Sequence, residues 1–325
     1  MTDPSKIRVL AMVYPIERHV GHWAMSSQSI ELTRVIMEGE NLPDLLSSAV
    51  RACRPEIVAI IGKSVKQYHD LLDDLSNDIT HLKEVPRVYR CQNTVLAQRV
   101  YGADPTRESL AKLDHWFAFA CDERFSLILV QTLTDVDLIQ RALAPKLVVA
   151  CPYGYDTAVF DPDLPDIERP IDVGCYFSLR DDPRRLRLVD HAQSICARRG
   201  WSFRFVSGKY WHDYANLIHS TKLCLHFSDR QEIPFRLYET TCLGTVFLTD
   251  PLGCGIENLF SEGQEYLTYR PDLSNLEDVL ESVLVNPGRW RSLSSNGRAR
   301  AREYTWASIA DRYVAPALKQ VLGRK

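Results

Sequence analysis

Apolar and polar positions along this chain fall into two alternating textures. Compact apolar runs recur at residues 7–14 (IRVLAMVY), 54–62 (RPEIVAIIG), 85–91 (VPRVYRC), 125–131 (FSLILVQ) and 146–151 (KLVVAC). Runs of that length, apolar on both faces, predict buried strands. Between them, apolar residues spaced three and four apart predict helices over 29–37, 42–53, 68–82, 110–120 and 135–143. Strands alternating with helices predict a mainly parallel sheet of Rossmann-like type. Residues 152–166 (PYGYDTAVFDPDLPD) break this rhythm with Gly, Pro and Asp and read as a linker. The rhythm then restarts. Strands are predicted at 171–177 (IDVGCYF), 202–206, 222–227 (KLCLHF), 245–249 (TVFLT) and 265–269. Helices are predicted at 183–199, 210–220, 237–243 and 275–285, with a further short element at 256–260 and a last helical stretch over 289–322. The expectation is an α/β protein of two similar halves: a first domain over 1–151, a linker over 152–170, a second domain over 171–303 and a C-terminal helix over 304–325.

Composition narrows the class. At 325 residues the chain is long enough for two cores, and 45% hydrophobic with 25% charged residues is globular usage. A net charge of −3 opposes nucleic-acid binding by bulk positive charge. No apolar run reaches membrane-span length, and the start MTDPSKIRVL lacks a signal peptide's apolar core, so the expected compartment is the cytoplasm. The nine cysteines are scattered singly without a CxxC, which predicts reduced thiols and no zinc site.

Candidate chemistry concentrates in residues 227–250 (FSDRQEIPFRLYETTCLGTVFLTD). A polar loop leaves one strand and delivers Arg236 and Glu239 near the start of a helix, three residues apart and on one face. Helix starts that follow the carboxyl ends of strands are where open α/β sheets bind ligands. A guanidinium and a carboxylate there suit a ligand with phosphates and paired hydroxyl groups. A surface ion pair would have the same spacing. Residues 174–187 (GCYFSLRDDPRRLR) form a second such start, with Ser178 and Arg180 in the loop and Arg184 and Arg185 in the first helical turn. Cations there oppose the helix dipole unless an anion lies between, although Asp181 and Asp182 also balance them. After the first strand, His19, Gly21 and His22 sit in a loop suited to an acceptor or a phosphate, or to bare solvent. No GxGxxG, Walker A, GxSxG or HExxH occurs, which disfavours dehydrogenase, P-loop and common hydrolase chemistry. The acidic pairs at 135/137 and 161/163 lack a neighbouring His and read as caps or turns. The basic run at 297–302 (GRARAR) reads as a solvated helix face, with peripheral membrane contact as the alternative.

These segments resemble the GT-B glycosyltransferases of group 1, family 4-like, and most closely the CgeB-like (spore maturation protein) subgroup. Residues 152–162 (PYGYDTAVFDP) look like the family's PxGxDxxxFxP segment joining two domains. Residues 233–250 look like the subgroup's Arg, two residues, Glu, then a helix ending in Gly and a strand, and residues 258–313 follow the family's course into a late aromatic helix. The resemblance implies two Rossmann-like domains with a cleft between them and a C-terminal helix crossing back. It implies a nucleotide-diphosphate sugar as donor substrate, no cofactor and no essential metal. Glu239 matches the second Glu of the family's ExxxxxxxE motif, which bonds the donor ribose. The first would fall on Gln231, since Glu232 lies one position too close, so the donor-sugar contact stays open. Arg236 matches the subgroup's Arg, Arg180, Arg184 or Arg185 lie where cations meet the diphosphate, and Ser178 and Tyr153 join the donor side. For a base the first domain offers His19, His22 and His115, with no choice between them. The acceptor, whether a glycan, a lipid-linked sugar, a protein or a small molecule, is expected on the first domain. A nucleotide-sugar epimerase of the same fold and a non-catalytic nucleotide-sugar-binding protein are the alternatives.

Overall fold

The computed structural model describes residues 5–13, 27–38, 41–61, 65–90, 120–131, 136–179, 182–228, 233–252 and 255–323. The chain divides into two compact units, Met1–Tyr153 with Trp306–Lys325, and Gly154–Thr305.

The first unit contains β1 (Ile7–Val13), β2 (Ile30–Ile36), α1 (Leu42–Cys53), β3 (Ile57–Ile61), α2 (Val65–Asp78), a 3-10 turn (Thr80–Lys83), β4 (Arg87–Arg90), β5 (Phe125–Val130), α3 (Val136–Leu143) and β6 (Leu147–Ala150). All pairings are parallel, in the order β2-β1-β3-β4-β5-β6. Every residue of β3 is buried, as a central parallel strand covered on both faces requires. The helix expected over 29–37 is instead β2. Its apolar residues Ile30, Leu32, Val35 and Ile36 fit a helical spacing, but they pair with β1 residue for residue, from Ile7 opposite Ile30 to Val13 opposite Ile36. As an edge strand it exposes part of its length and lacks the unbroken apolar run that marks its neighbours. Its β-branched residues decide the matter.

In the second unit β7 (Ile171–Cys175), α4 (Pro183–Arg199), β8 (Phe203–Phe205), α5 (Trp211–His219), β9 (Thr221–Leu225), α6 (Phe235–Cys242), β10 (Val246–Thr249), a 3-10 turn (Ile256–Asn258), β11 (Leu267–Thr268), α7 (Leu276–Leu284) and α8 (Pro287–Ala301) follow one another. The sheet is parallel, ordered β11-β10-β9-β7-β8. Both sheets therefore share one winding, with the second strand outside the first and the third on its other side. That winding puts a topological switch point between β7 and β9, where the chain leaves the two strands in opposite directions.

Local chemistry fixes the helices of this unit. Pro183 opens α4, Asp182 caps it by accepting from the Arg184 N–H at 2.9 Å, and Gly200 closes it in the left-handed region. Tyr238 holds α6 against Phe260 and Tyr304, with ring centroids 5.5 and 5.4 Å away, and the Thr241 hydroxyl donates to the Leu237 carbonyl at 2.6 Å. At the amino ends of the strands, buried Arg169 donates to the Thr221 carbonyl, the Thr245 hydroxyl and the Leu243 carbonyl, tying β9 to the entry of β10. Burial pulls its pKa down to about 10.

The helical stretch expected over 289–322 is interrupted. After α8 comes a 3-10 turn (Arg302–Tyr304), and Thr305 is extended, at φ −65° and ψ 153°, bridging Tyr155. The Tyr155 N–H takes the Tyr304 carbonyl that a continuous helix would use. The chain resumes as α9 (Trp306–Ile309), a π-helical turn (Ala310–Val314) and α10 (Ala315–Val321). These belong to the first unit, where the Asp311 carboxylate accepts from the Ser27 hydroxyl at 2.7 Å and the Ser29 N–H at 3.0 Å. The helix expected over 110–120 lies outside the described residues except for Ala120. Among the described residues no helix is long and apolar enough to cross a membrane, and Cys53, Cys121, Cys151, Cys175, Cys196, Cys224 and Cys242 are free thiols.

One glycine is required by geometry. Gly244 ends the α6 turn at φ +71°, and a Cβ there would come within 2.7 Å of the Arg298 guanidinium, itself bonded to the Leu243 carbonyl. Gly244→Ala should lower the unfolding free energy by about 1–3 kcal/mol, read by chemical denaturation.

Candidate functional site

Several titratable side chains of this unit lie at the carboxyl edge of the second sheet. From β7 the chain runs through Tyr176, Phe177 and Ser178 into α4, and from β9 through His226, Phe227 and Ser228 toward α6. Ser228 is pinned by its N–H to the Asp250 carboxylate at 2.8 Å, at the end of β10, and the Thr249 hydroxyl donates to the same oxygen at 3.0 Å. Burial raises the Asp250 pKa, opposed by those two hydrogen bonds.

Three cations face this edge. Arg184 is largely exposed, pairs with Asp182 at 2.8 Å and lies over the Phe227 ring at 4.9 Å. Arg185 is buried, donates to the Ser178 carbonyl and covers the Phe177 ring at 5.6 Å. Arg236, half-buried on the first turn of α6, makes its charge felt at Tyr214, Cys224, His226 and Glu239. The thiol of Cys224 is nevertheless pushed up to about 12 by burial, which makes it an inert core group.

Glu239 stands one turn after Arg236. Its carboxylate forms no hydrogen bond or ion pair among the described residues, and burial raises its pKa to about 7 against the opposing pull of Arg236. A carboxyl group kept close to neutrality and without internal partners is available to a ligand's hydroxyl groups. His226, one residue past β9, is 3% exposed and stacked on Phe247 at 5.4 Å, with Nδ1 unpartnered among the described residues. Burial first, then Arg236 and Arg185, drives its pKa well down, so the ring is neutral at physiological pH. The Tyr214 hydroxyl is likewise buried, and the Arg236 side chain interacts with it.

The structure thus brings Ser178, Arg184, Arg185, Arg236 and Glu239 to one edge of one sheet. Tyr153 belongs to the first unit, where it packs against Arg90 at 5.4 Å. His19, His22, His115, Arg180 and Gln231 lie outside the described residues. Sequence reasoning missed His226, Tyr214 and Asp250. A histidine at the end of an otherwise apolar run, KLCLHF, was the available signal for the first.

The Glu239 shift has a sign that can be measured. In the unfolded chain the group ionises near 4.5, while in the folded protein it keeps its proton to about 7. The folded state therefore binds the extra proton between those values, and stability falls as pH rises through that window. Glu239→Gln removes this slope. Equilibrium denaturation at pH 5 and pH 8 should show the variant gaining about 1–3 kcal/mol over the wild type at pH 8 and much less at pH 5.

Residues 184–315, from the first turn of α4 to α10, match the family model described as glycosyl transferase-like. No curated protein sequence matches the chain. Among solved structures, Anabaena Alr3699/HepE in complex with UDP and glucose is 13% identical with a TM-score of 0.60, over 97% of this chain and 100% of that one. Sucrose-phosphate synthase from Thermosynechococcus elongatus is 12% identical with a TM-score of 0.58, over 97% and 99%. A glycosyltransferase from Rickettsia africae ESF-5 is 11% identical with a TM-score of 0.57, over 98% and 100%. At these identities the likeness is one of fold. The chain has the α/β fold of the GT-B glycosyltransferases, and its residues 184–315 are glycosyl transferase-like in sequence.

Proposed function

We propose that this chain is a glycosyltransferase that moves a sugar from a nucleoside-diphosphate donor, bound at the carboxyl edge of the second sheet, to an acceptor held by the first unit. The observation that carries the reading is Arg236 beside a Glu239 whose carboxylate has no hydrogen bond among the described residues, on one face of α6 within the stretch that is glycosyl transferase-like. In this reading Glu239 accepts from the ribose hydroxyls, and Arg184, Arg185 and Arg236 face the diphosphate. As the bond from the anomeric carbon to the diphosphate oxygen breaks, negative charge grows on the leaving group. Fixed guanidinium groups stabilise that charge more than they stabilise the bound donor, which lowers the barrier. The same cations motivate the proposal that the reaction needs no metal, and resistance to EDTA tests it. Within the family we place the chain nearest the CgeB-like subgroup, on Arg236 three residues before Glu239. We place the reaction in the cytoplasm, which suits the free thiols.

HepE was solved with UDP and with UDP-glucose, so uridine nucleotides are the first donors to try. A thermal-shift screen against UDP, GDP, ADP and their sugars should show one nucleotide series stabilising the wild type, by about 2.7 kcal/mol at a hundred times its dissociation constant. Glu239→Ala and Arg236→Ala should each abolish the shift. If no nucleotide stabilises the wild type, the donor site is wrong. Turnover of the donor sugar without any acceptor would identify an epimerase, and binding without turnover across a broad acceptor panel a non-catalytic binder.

A further inference from the structure

Among the described residues of the first unit, one buried cation has its bonding incomplete. Arg90 ends β4 at the carboxyl edge of the first sheet and is 1% exposed. Its Nη1 donates to the Cys151 carbonyl at 2.7 Å and the guanidinium also interacts with the Cys151 thiol, while among the described residues Nη2 is buried without a hydrogen-bond partner. The ring of Tyr153 lies 5.4 Å from the guanidinium carbon. An aromatic ring can cover the flat face of a guanidinium, but its N–H groups point outward in the plane and still need acceptors. Among the described residues no carboxylate pairs with it. Arg169 in the second unit shows what a purely structural buried arginine looks like here. It is equally hidden, at 4% exposed, and it spends both terminal nitrogens on two carbonyls and a hydroxyl. A buried charge left short of partners is unfavourable unless something from outside completes it.

We propose that the carboxyl edge of the first sheet binds an oxyanion at Arg90, and that the acceptor is therefore an anionic molecule carrying a phosphate or carboxylate group. The position supports this, because the carboxyl ends of parallel strands are where open α/β sheets take their ligands. Gln131, one residue past β5 and 2% exposed, and Tyr153, just past β6, add polar atoms along the same edge. Naming the ligand as the acceptor rests on the transferase reading. The anion site itself does not.

Hydrogen–deuterium exchange on the full chain tests the site, with inorganic phosphate and acetate as probes against chloride at matched ionic strength. Phosphate at ten times its dissociation constant should slow exchange by up to about tenfold in peptides covering 87–90 and 147–153. Acetate doing the same, or not, reports whether the site takes any oxyanion or prefers phosphate. Arg90→Gln keeps a donor for the Cys151 carbonyl but loses the charge, and should fold and lose the protection. Arg90→Met serves as a second neutral variant. Arg236→Ala, in the other unit, should leave the protection intact. The proposal is overturned if neither probe protects these peptides, if protection persists in a neutral variant, or if it is confined to residues 174–250. It also falls if neither neutral variant folds, since Arg90 is then a structural tie to Cys151. None of these outcomes bears on the nucleotide shift, so failure here and failure of the donor site read out separately.

Discussion

A parallel sheet covered on both faces has its backbone satisfied along every interior ladder, which leaves its two rims of strand ends as the places where polar groups must be dealt with. The second sheet treats its rims oppositely. At the amino rim Arg169 gathers two carbonyls and a hydroxyl and closes the end. At the carboxyl rim Glu239 is held among enough protein to resist ionisation, yet the described residues give it no hydrogen bond. Both residues are polar and both are shielded. Only one is finished, and this asymmetry separates scaffold from site more sharply than depth of burial does.

How far the site could be read from the sequence follows from the same contrast. Buried strands announce themselves as unbroken apolar runs, so β3, β5, β7 and β9 were legible, and so was α4, with Pro183 at its start and Gly200 at its end. β2 was not, because an edge strand exposes one face and its period can be mistaken for a helix. The bridge that holds Thr305 extended was also invisible, since its partner Tyr155 lies 150 positions away. Arg236 and Glu239 could be found because they sit on one helix at a recognisable spacing. His226, Tyr214 and Asp250 converge on the same rim from α5 and the ends of β9 and β10, and no local pattern links them. The loops that carry the histidines considered for a base lie outside the described residues.

The site also carries a cost that the fold must bear elsewhere. A carboxyl group displaced toward neutrality and a neutral buried imidazole are each less favourable in the folded chain than solvated equivalents would be. Offsetting terms lie close by, in the Tyr238, Phe260 and Tyr304 rings that anchor α6 and in the Asp250 carboxylate that fixes Ser228. Rigid support around an under-bonded group holds it in place while leaving its valences free.

The first unit is discontinuous in sequence, since residues 306–323 return to it and Asp311 grips Ser27 across 284 positions. Synthesis runs from the amino terminus, and domains that are continuous in the chain can condense as soon as they emerge. Here the order is inverted. The second unit, contiguous from Gly154 to Thr305, has all its parts before the first does, although the first began to appear earlier. Until the last turns leave the ribosome, the start of β2 lacks its carboxylate partner, so the half of the protein made first is the half finished last.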